Sequence, residues 1–257
     1  MTIARKRFGQ NFLQDGQVIS QIIACFAPKP GDHCVEIGPG LGALTLPLLK
    51  KIKHLEAVEL DRDIIPVLLE NSKNIGELII HQGDVLQFDF QTLIKNNKKL
   101  RIIGNLPYNI STPLIFHLLN QLNIIEDMIF MLQQEVVDRM AAAPNNKDYG
   151  RLSVMVQYHC QVEGLFSIPP EAFHPAPKVQ SKLVHLIPYD KKPFIACNEK
   201  LFADIVREAF GQRRKTIRNS LKNLITDETF EQLGLSPTDR AENLSVGDYV
   251  QLANSFA

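Results

Sequence analysis

The residues best suited to chemistry form the run Asn105-Leu106-Pro107-Tyr108, which directly follows the apolar stretch "LRIIG", a predicted buried strand. An amide oxygen and a main-chain carbonyl beside a rigid proline can both accept hydrogen bonds from one amine. A tyrosine ring can stack on a base, a contact of about 1–3 kcal/mol. We therefore interpret the run as a site for the exocyclic amine of an adenine, whose nitrogen becomes more nucleophilic when both its hydrogens are held.

A glycine-rich turn, "IGPGLGA", follows an earlier predicted strand and contains Gly38, Gly40 and Gly42. Glycines let a loop turn tightly and let a ligand approach the backbone, although an ordinary strand-to-helix turn remains an alternative. The spacing G-x-G-x-G fits the dinucleotide template G-x-G-x-x-G poorly. The turn therefore favours a ligand other than a dinucleotide.

Two acids end the next two predicted strands: Glu59, 17 residues after Gly42, and then Asp84. Ligands of open α/β sheets bind at the carboxyl ends of the strands, where Glu59 suits ribose hydroxyls and Asp84 an adenine amine. No lysine completes a phosphate-binding loop. A cofactor rich in hydroxyls and amines but without phosphate fits this pattern, and S-adenosylmethionine is such a cofactor.

Short apolar runs alternate with helical patterns, which predicts an α/β fold with a doubly wound, mostly parallel sheet. The predicted strands are residues 33–38, 55–60, 78–83, 100–106 and 128–133. We expect two later strands in "LSVMVQYH" and "KLVHLIPY", with an antiparallel pairing that closes the sheet, and helices in "KLFADIVREAF" and "RKTIRNSLKNLI". The predicted domains are a main domain, 1–188, and a small all-helical domain, 189–257.

The charge balance, the cysteines and the lengths of the apolar runs indicate what class of protein this is. The 28 basic and 28 acidic residues cancel, so a nucleic-acid partner has to be argued from local charge. The four cysteines form no C-x-x-C pair, which predicts reduced thiols and no metal site. Without a secretory signal or an apolar run of about 20 residues, we expect a cytoplasmic protein with no membrane partner.

Four segments, in this order, resemble the ribosomal RNA adenine dimethyltransferase family: "RKRFGQNFL", "VEIGPGLGALT", "GNLPYNIST" and "AFHPAPKV". "YGRLSV" and "GQRRKTIRNSL" extend the resemblance over nearly the whole chain. Within the family, the chain is most similar to enzymes that dimethylate two adjacent adenines near the 3′ end of small-subunit ribosomal RNA. The resemblance implies a seven-stranded class I methyltransferase sheet, S-adenosylmethionine as cofactor, and an immature small ribosomal subunit as partner of a monomer.

By this resemblance, the cofactor-binding residues are Asn11, Leu13, Gly38, Glu59, Asp84 and Asn105. The resemblance also places Asn105 on the target amine, Tyr108 on one face of the adenine and Phe173 on the other. Beside its prolines, Phe173 could equally be a core residue.

Basic residues concentrate between positions 207 and 223, with six Lys or Arg and one acid. Arg214, Arg218 and Lys222 recur at i, i+4 and i+8, which predicts a helical stripe that, with Lys215, binds RNA phosphates. A solvated helix face is the alternative. A second, weaker candidate patch is Arg5, Lys6 and Arg7.

Three other functions remain open from the residues. A methylase acting on a large-subunit adenine shares the cofactor turn and the Asn-x-Pro-Tyr run. A ribosome-assembly factor without catalysis would retain the RNA contacts, but the cofactor acids argue against it. A dehydrogenase is disfavoured by the glycine spacing.

Overall fold

The computed structural model describes residues 11–95, 97–212 and 214–256, so Arg5, Lys6 and Arg7 lie outside the described residues. The strands are β1 (Phe12–Leu13), β2 (His33–Ile37), β3 (His54–Glu59), β4 (Glu77–Gln82), β5 (Leu100–Asn105), β6 (Ile125–Gln133), β7 (Cys160–Ile168), β8 (Phe173–His174) and β9 (Ser181–Pro188). The α-helices are α1 (Gly16–Phe26), α2 (Thr45–Ile52), α3 (Ile65–Ser72), α4 (Ser111–Leu119), α5 (Gln134–Ala141), α6 (Arg151–His159), α7 (Glu199–Gly211), α8 (Ile217–Leu221), α9 (Asp227–Gln232) and α10 (Val246–Asn254).

The main sheet has seven strands in the order β4-β3-β2-β5-β6-β9-β7. The pairs β4–β3, β3–β2, β2–β5 and β5–β6 are parallel, and β9 is antiparallel to β6. Strands β3 and β4 follow β2 on one side of the sheet, and β5 then pairs with the opposite edge of β2. This reversal between β2 and β5 is the point at which open α/β sheets bind ligands. The predicted α/β fold with a mostly parallel seven-stranded sheet is confirmed.

The central parallel strands read as continuous apolar runs because residues on both of their faces are buried. In β3, every residue after the first is buried, and β6 has one exposed residue, Glu126. Such runs are typical of parallel sheets covered on both sides. This is why the predicted strand positions agree with the observed ones to within about three residues.

The prediction of a strand in "LSVMVQYH" is wrong, because residues 151–159 form α6 and the strand β7 follows it. All but two of the residues in Leu152–His159 are buried, so the segment has no polar face and its apolar run resembles that of a strand. The other late strand, β9, is confirmed and lies between β6 and β7 in the sheet.

The helix predicted over 214–225 is also shorter than expected. Helix α8 covers Ile217–Leu221 only, and Thr216 before it is extended, with φ −65° and ψ 155°. Arg214 therefore precedes the helix, and the predicted i, i+4, i+8 stripe is wrong as a continuous helical feature. Ile217 and Leu221 are fully buried, as their apolar spacing predicts.

Contacts divide the chain into two compact units. One contains the chain up to Val137 together with Glu163–Pro188, and the other contains Asp138–Val162 and Tyr189–Ala257. The second unit thus includes α6 as well as helices α7–α10. The domain assignment 1–188 and 189–257 stays a prediction. Across the described part of the chain, no helix is long and apolar enough to cross a membrane.

At the amino end of the central strands, Arg101 on β5 joins three elements. Its guanidinium donates to Asp127 at 2.8 and 2.9 Å, to Asp32 at 2.8 Å and to the carbonyl of Phe26, the last residue of α1, at 2.7 Å. Burial favours a higher pKa for Asp127, but the hydrogen bonds from Arg101 and His185 outweigh it and lower the pKa. This cluster fixes the end of the sheet opposite the candidate site.

Candidate active site

A cavity of about 630 Å³ opens at the carboxyl ends of β2, β3, β4 and β5, in the first unit. Its walls contain the glycine turn, the acid that ends β3, the acid that follows β4, and the run that begins at the end of β5. The predicted site residues that line it are Asn11, Leu13, Gly38, Glu59, Asp84, Asn105, Leu106, Pro107 and Tyr108.

The glycine turn brings main-chain groups to the cavity and fixes Glu59. Gly38 and Gly40 have φ of 67° and 54°, in the left-handed region that side chains disfavour. The Gly40 N–H donates to Oε2 of Glu59 at 3.3 Å, and a Cβ on Gly40 would lie 3.2 Å from the Phe12 ring. The turn therefore needs glycine both for its conformation and for its contact with β1.

The Glu59 carboxylate ends β3 with its orientation determined by main-chain donors. Oε1 accepts from the Asp61 N–H at 2.8 Å, and the side chain is 7% exposed. Burial raises the pKa of Glu59, and the N–H groups of Asp61 and Gly40 partly oppose that rise. A fixed, desolvated carboxylate of this kind suits a ligand that brings hydroxyl donors.

Asp84 occupies the corresponding place after β4. Its Oδ1 accepts from the Leu86 N–H at 3.0 Å, so the side chain caps a short 3-10 turn, Val85–Gln87. Val85 and Leu60, the residues that follow the two acids, also line the cavity. Sequence reasoning missed both, although an apolar residue directly after an acid at two successive strand ends was a usable signal.

The run after β5 is held by main-chain and side-chain hydrogen bonds. The Asn105 side-chain nitrogen donates to the carbonyl of Asn11 at 2.8 Å. Leu106 is 1% exposed, and its N–H donates to the carbonyl of Met131 on β6 at 3.2 Å. Gly104 is required here because a Cβ would lie 2.6 Å from the Ile37 carbonyl. The backbone that presents Asn105 is thus fixed by its neighbouring strands.

Tyr108 is held at both ends. Its hydroxyl lies 2.7 Å from Oγ of Ser181, and its carbonyl accepts from Oγ of Ser111 at 3.0 Å. Burial raises the pKa of Tyr108, and the hydrogen bond with Ser181 partly opposes that rise. Sequence reasoning did not identify Ser181, because nothing in a strand-forming segment marks it as a partner of a loop 73 residues away.

Phe173 is in β8, where its main chain pairs with Leu13 of β1. Its side chain is 4% exposed and belongs to an apolar cluster that includes Leu13 and Ile168. It is not among the residues that line the cavity. The structure therefore places Phe173 in the core, and its role beside the target base stays a prediction.

Glu36 is a buried acid in the cavity wall to which sequence reasoning gave no role. It is 2% exposed, and the Thr45 hydroxyl donates to its Oε2 at 2.6 Å. Burial raises the pKa of Glu36 to about 8, with a smaller contribution from the nearby Glu59. The free energy of unfolding should depend on pH for this reason.

The predicted RNA-binding residues Arg214, Lys215, Arg218 and Lys222 are all exposed and lie in the second unit. Arg218 forms an ion pair with Asp227, which compensates part of its charge. Arg214, Lys215 and Lys222 flank α8 rather than forming one helical stripe with Arg218. Their role in binding phosphates stays a prediction.

A family model described as ribosomal RNA adenine dimethylase matches residues 1–257. The chain belongs to this family. It is 55% identical to a ribosomal RNA small subunit methyltransferase A of Chromohalobacter salexigens, over 99% of this chain and 92% of the relative. The relative of the same name in Pseudomonas aeruginosa is 53% identical, over 99% of this chain and 95% of its own length.

Solved structures agree on the fold. A dimethyladenosine transferase from Plasmodium falciparum matches with a TM-score of 0.82 and 25% identity, over 95% of this chain and 97% of that one. The 23S rRNA methyltransferase ErmE matches with a TM-score of 0.73 and 21% identity, over 94% of this chain and 98% of that one. At this identity, the likeness to ErmE indicates a shared fold alone.

Family membership establishes the class of reaction, in which S-adenosylmethionine is the methyl donor and ribosomal RNA adenine is methylated. The cavity fits that donor, because its polar side chains include the carboxylates of Glu59 and Asp84 and the amide of Asn105. These acceptors suit hydroxyls and amines, whereas a diphosphate would meet like charge. The predicted enzyme class and cofactor are confirmed.

Proposed function

We propose that the chain dimethylates the exocyclic amines of two adjacent adenines in a hairpin loop near the 3′ end of small-subunit ribosomal RNA. The substrate is an immature small subunit, and the protein acts as a monomer in the cytoplasm. The observation that carries the proposal is that the run Asn105–Tyr108 lines the same cavity as Glu59 and Asp84. The relatives named as small-subunit methyltransferases, at 53–55% identity, support the choice of subunit.

The cofactor is held by groups on both sides of the glycine turn. Glu59 accepts the ribose hydroxyls, and Asp84 accepts the adenine amine through the carboxylate that already caps the turn after β4. Asn11, Leu13 and Gly38 contact the remainder of the molecule. Their support is the shared cavity wall, which brings residues from four separate segments together. When bound, S-adenosylmethionine supplies a methyl group on a positively charged sulfur, which an amine can attack without first losing a proton.

The target amine is bound by the run after β5. Asn105 Oδ1 and the Leu106 carbonyl accept its two hydrogens, which turns the nitrogen lone pair away from the ring and raises its nucleophilicity. Because the Asn105 nitrogen donates to Asn11, the oxygen of the same amide is the atom presented to the amine. Pro107 makes this backbone rigid, and Tyr108 stacks on the base. By the family resemblance, Phe173 covers the opposite face of the adenine, which requires its ring, buried in the free protein, to become accessible when the base binds.

No general base is required from the chain. An aromatic amine that has gained a methyl group carries a positive charge, and its proton is then acidic enough to pass to water. The contribution of Asn105 and Tyr108 is therefore to position the amine, and well-oriented reactants can gain several kcal/mol from positioning. An adenine has to leave its stack to reach Tyr108, which favours a loop over a duplex as the substrate.

Arg214, Lys215, Arg218 and Lys222 bind RNA phosphates, and Arg5, Lys6 and Arg7 form a second patch. The support is the local excess of basic residues in a chain of zero net charge. The four in the second unit are exposed, which phosphate binding requires.

A methylase acting on a large-subunit adenine is the principal rival, since ErmE shares the fold. The test is to incubate the purified chain and labelled S-adenosylmethionine with immature small subunits and, separately, with large subunits. We expect label in the small subunit, at up to four methyl groups for each RNA. Label in the large subunit alone would contradict the proposal.

A further inference from the structure

The hydrogen bond between Tyr108 and Ser181 joins the candidate active site to the sheet. The two hydroxyl oxygens are 2.7 Å apart, the usual distance for a hydrogen bond between hydroxyls. Ser181 is 1% exposed, so water competes weakly for its hydroxyl. The bond is therefore a persistent contact rather than one of several surface alternatives.

Ser181 is fixed by its own place in the sheet. It is the first residue of β9 and pairs with Gln133, the last residue of β6. The residue before it, Gln180, accepts a main-chain hydrogen bond from Gln134 at 2.9 Å. A hydroxyl carried on this paired backbone has little freedom to move, so it can hold another side chain in place.

The bond restricts Tyr108 in a particular way. With its carbonyl held by Ser111 and its hydroxyl held by Ser181, the ring can turn about its long axis but cannot swing away from the cavity. A ring fixed in this way pays no further conformational entropy when a base stacks on it. The Ser111 contact alone would leave the rotation about the Cα–Cβ bond open.

We propose that Ser181 is a positioning residue for methyl transfer, whose hydroxyl holds the Tyr108 ring where the target adenine stacks. The inference rests on the proposed function of Tyr108. Ser181 itself does not line the cavity, so it acts through the tyrosine. Through this bond, Ser181 connects the start of β9 to the loop after β5.

The test is a double-mutant cycle with Ser181→Ala, Tyr108→Phe and the double variant of the full chain. Single-turnover methylation of undermethylated small subunits is measured at saturating S-adenosylmethionine over a range of subunit concentrations. Each single variant should lower the maximal rate by about two- to tenfold, the range expected for one hydrogen bond. The double variant should be no slower than either one, because both changes remove the same bond. The subunit concentration at half-maximal rate should stay unchanged.

Two further variants separate positioning from folding. Ser181→Thr retains the hydroxyl and should recover most of the rate. Ser72→Ala removes another buried serine hydroxyl, bonded to the Leu69 carbonyl at 3.0 Å, and serves as the matched control with an unchanged rate. If Ser181→Ala does not fold, Tyr108→Phe removes the same bond from the other side, and a wild-type rate for it would overturn the proposal.

The outcomes distinguish this inference from the proposed function. If Ser181→Ala slows the Tyr108→Phe variant as much as it slows the wild type, Ser181 acts independently of Tyr108 and the inference is overturned. If Ser181→Ala has no effect on the rate, it is overturned as well. If Tyr108→Ala methylates at the wild-type rate, the proposed role of Tyr108 fails, and the inference fails with it.

Discussion

The side-chain nitrogen of Asn105 donates a hydrogen bond to the main-chain oxygen of Asn11, at 2.8 Å and across 94 residues of sequence. This bond connects the residue before β1 to the carboxyl end of β5. It also fixes the orientation of the amide, so the oxygen of Asn105 is the atom presented to a ligand. The amine-binding role proposed for Asn105 depends on this orientation.

Replacing Asn105 tests that role. Asn105→Ala should lower the single-turnover methylation rate at least about 100-fold, because it removes a hydrogen-bonding group at the reacting centre. RNA binding should be largely unchanged. Asn105→Asp retains an acceptor for the amine but turns a second oxygen toward the Asn11 carbonyl, where the amide nitrogen had donated. It should lower the single-turnover rate by about 10- to 100-fold. Asn120→Ala, at an exposed position outside the cavity, is the control. A near-normal rate in Asn105→Ala would refute the assignment.

Glu36 should make stability depend on pH. Its pKa is about 8 in the folded chain, against 4.5 for an ordinary glutamate. Between these values the unfolded chain releases the proton and the folded chain keeps it, so the free energy of unfolding falls as pH rises. Glu36→Gln has no such proton to lose. At 1.36 kcal/mol per pKa unit, its free energy of unfolding should therefore rise by about 2–3 kcal/mol relative to that of the wild type between pH 5 and pH 7.

Urea unfolding of the wild type and Glu36→Gln at several pH values measures this gain. Glu126→Gln controls for the loss of a charge at an exposed position. Parallel curves for wild type and Glu36→Gln across the range would show that Glu36 does not bind a proton in the folded chain.

The exposed cations near α8 should set the salt dependence of RNA binding. Each phosphate contact contributes about 0.7–0.9 to the slope of log K against log salt concentration. Changing Arg214, Lys215 and Lys222 to Gln should therefore flatten the slope by about 2–3 units. Arg218 is left in place because it pairs with Asp227. The control changes three exposed lysines of the first unit, Lys29, Lys51 and Lys178; equal flattening in both variants would assign the effect to net charge.

Replacing Arg101 should lower the free energy of unfolding without changing the cofactor affinity of the site. Arg101→Ala leaves Asp127 and Asp32 without their guanidinium partner, and losing one partner of a buried pair costs about 3–5 kcal/mol. The cofactor affinity of the folded variant should be unchanged, because Arg101 lies at the opposite end of β5 from Asn105. Urea unfolding and cofactor titration measure the two effects, with Arg62→Ala, 82% exposed, as control. A large loss of affinity in the folded variant would contradict this separation.

The main features of the site could be predicted because they follow directly from strand order. Glu59, Asp84 and Asn105 each end or directly follow a strand whose apolar run is visible in the sequence, and parallel strands bring such ends to one edge. The partners of these residues could not be predicted in the same way. Asn11 bonds to Asn105 across 94 residues and Ser181 bonds to Tyr108 across 73, and local patterns do not encode such pairings.

The errors have related causes. Six of the eight residues in Leu152–His159 are buried, so this stretch has no clear amphipathic period to separate a helix from a strand. The basic residues near α8 follow a helical spacing, yet the extended Thr216 begins the helix after Arg214.

The most direct test of the central claim is mass mapping of methylated adenines in ribosomal RNA from cells with and without this protein. We predict that two adjacent adenines near the 3′ end of the small-subunit RNA carry two methyl groups each when the protein is present. In its absence, and with the Asn105→Ala variant in its place, both should be unmodified. Unchanged methylation of this pair without the protein, or a loss confined to the large-subunit RNA, would contradict the claim.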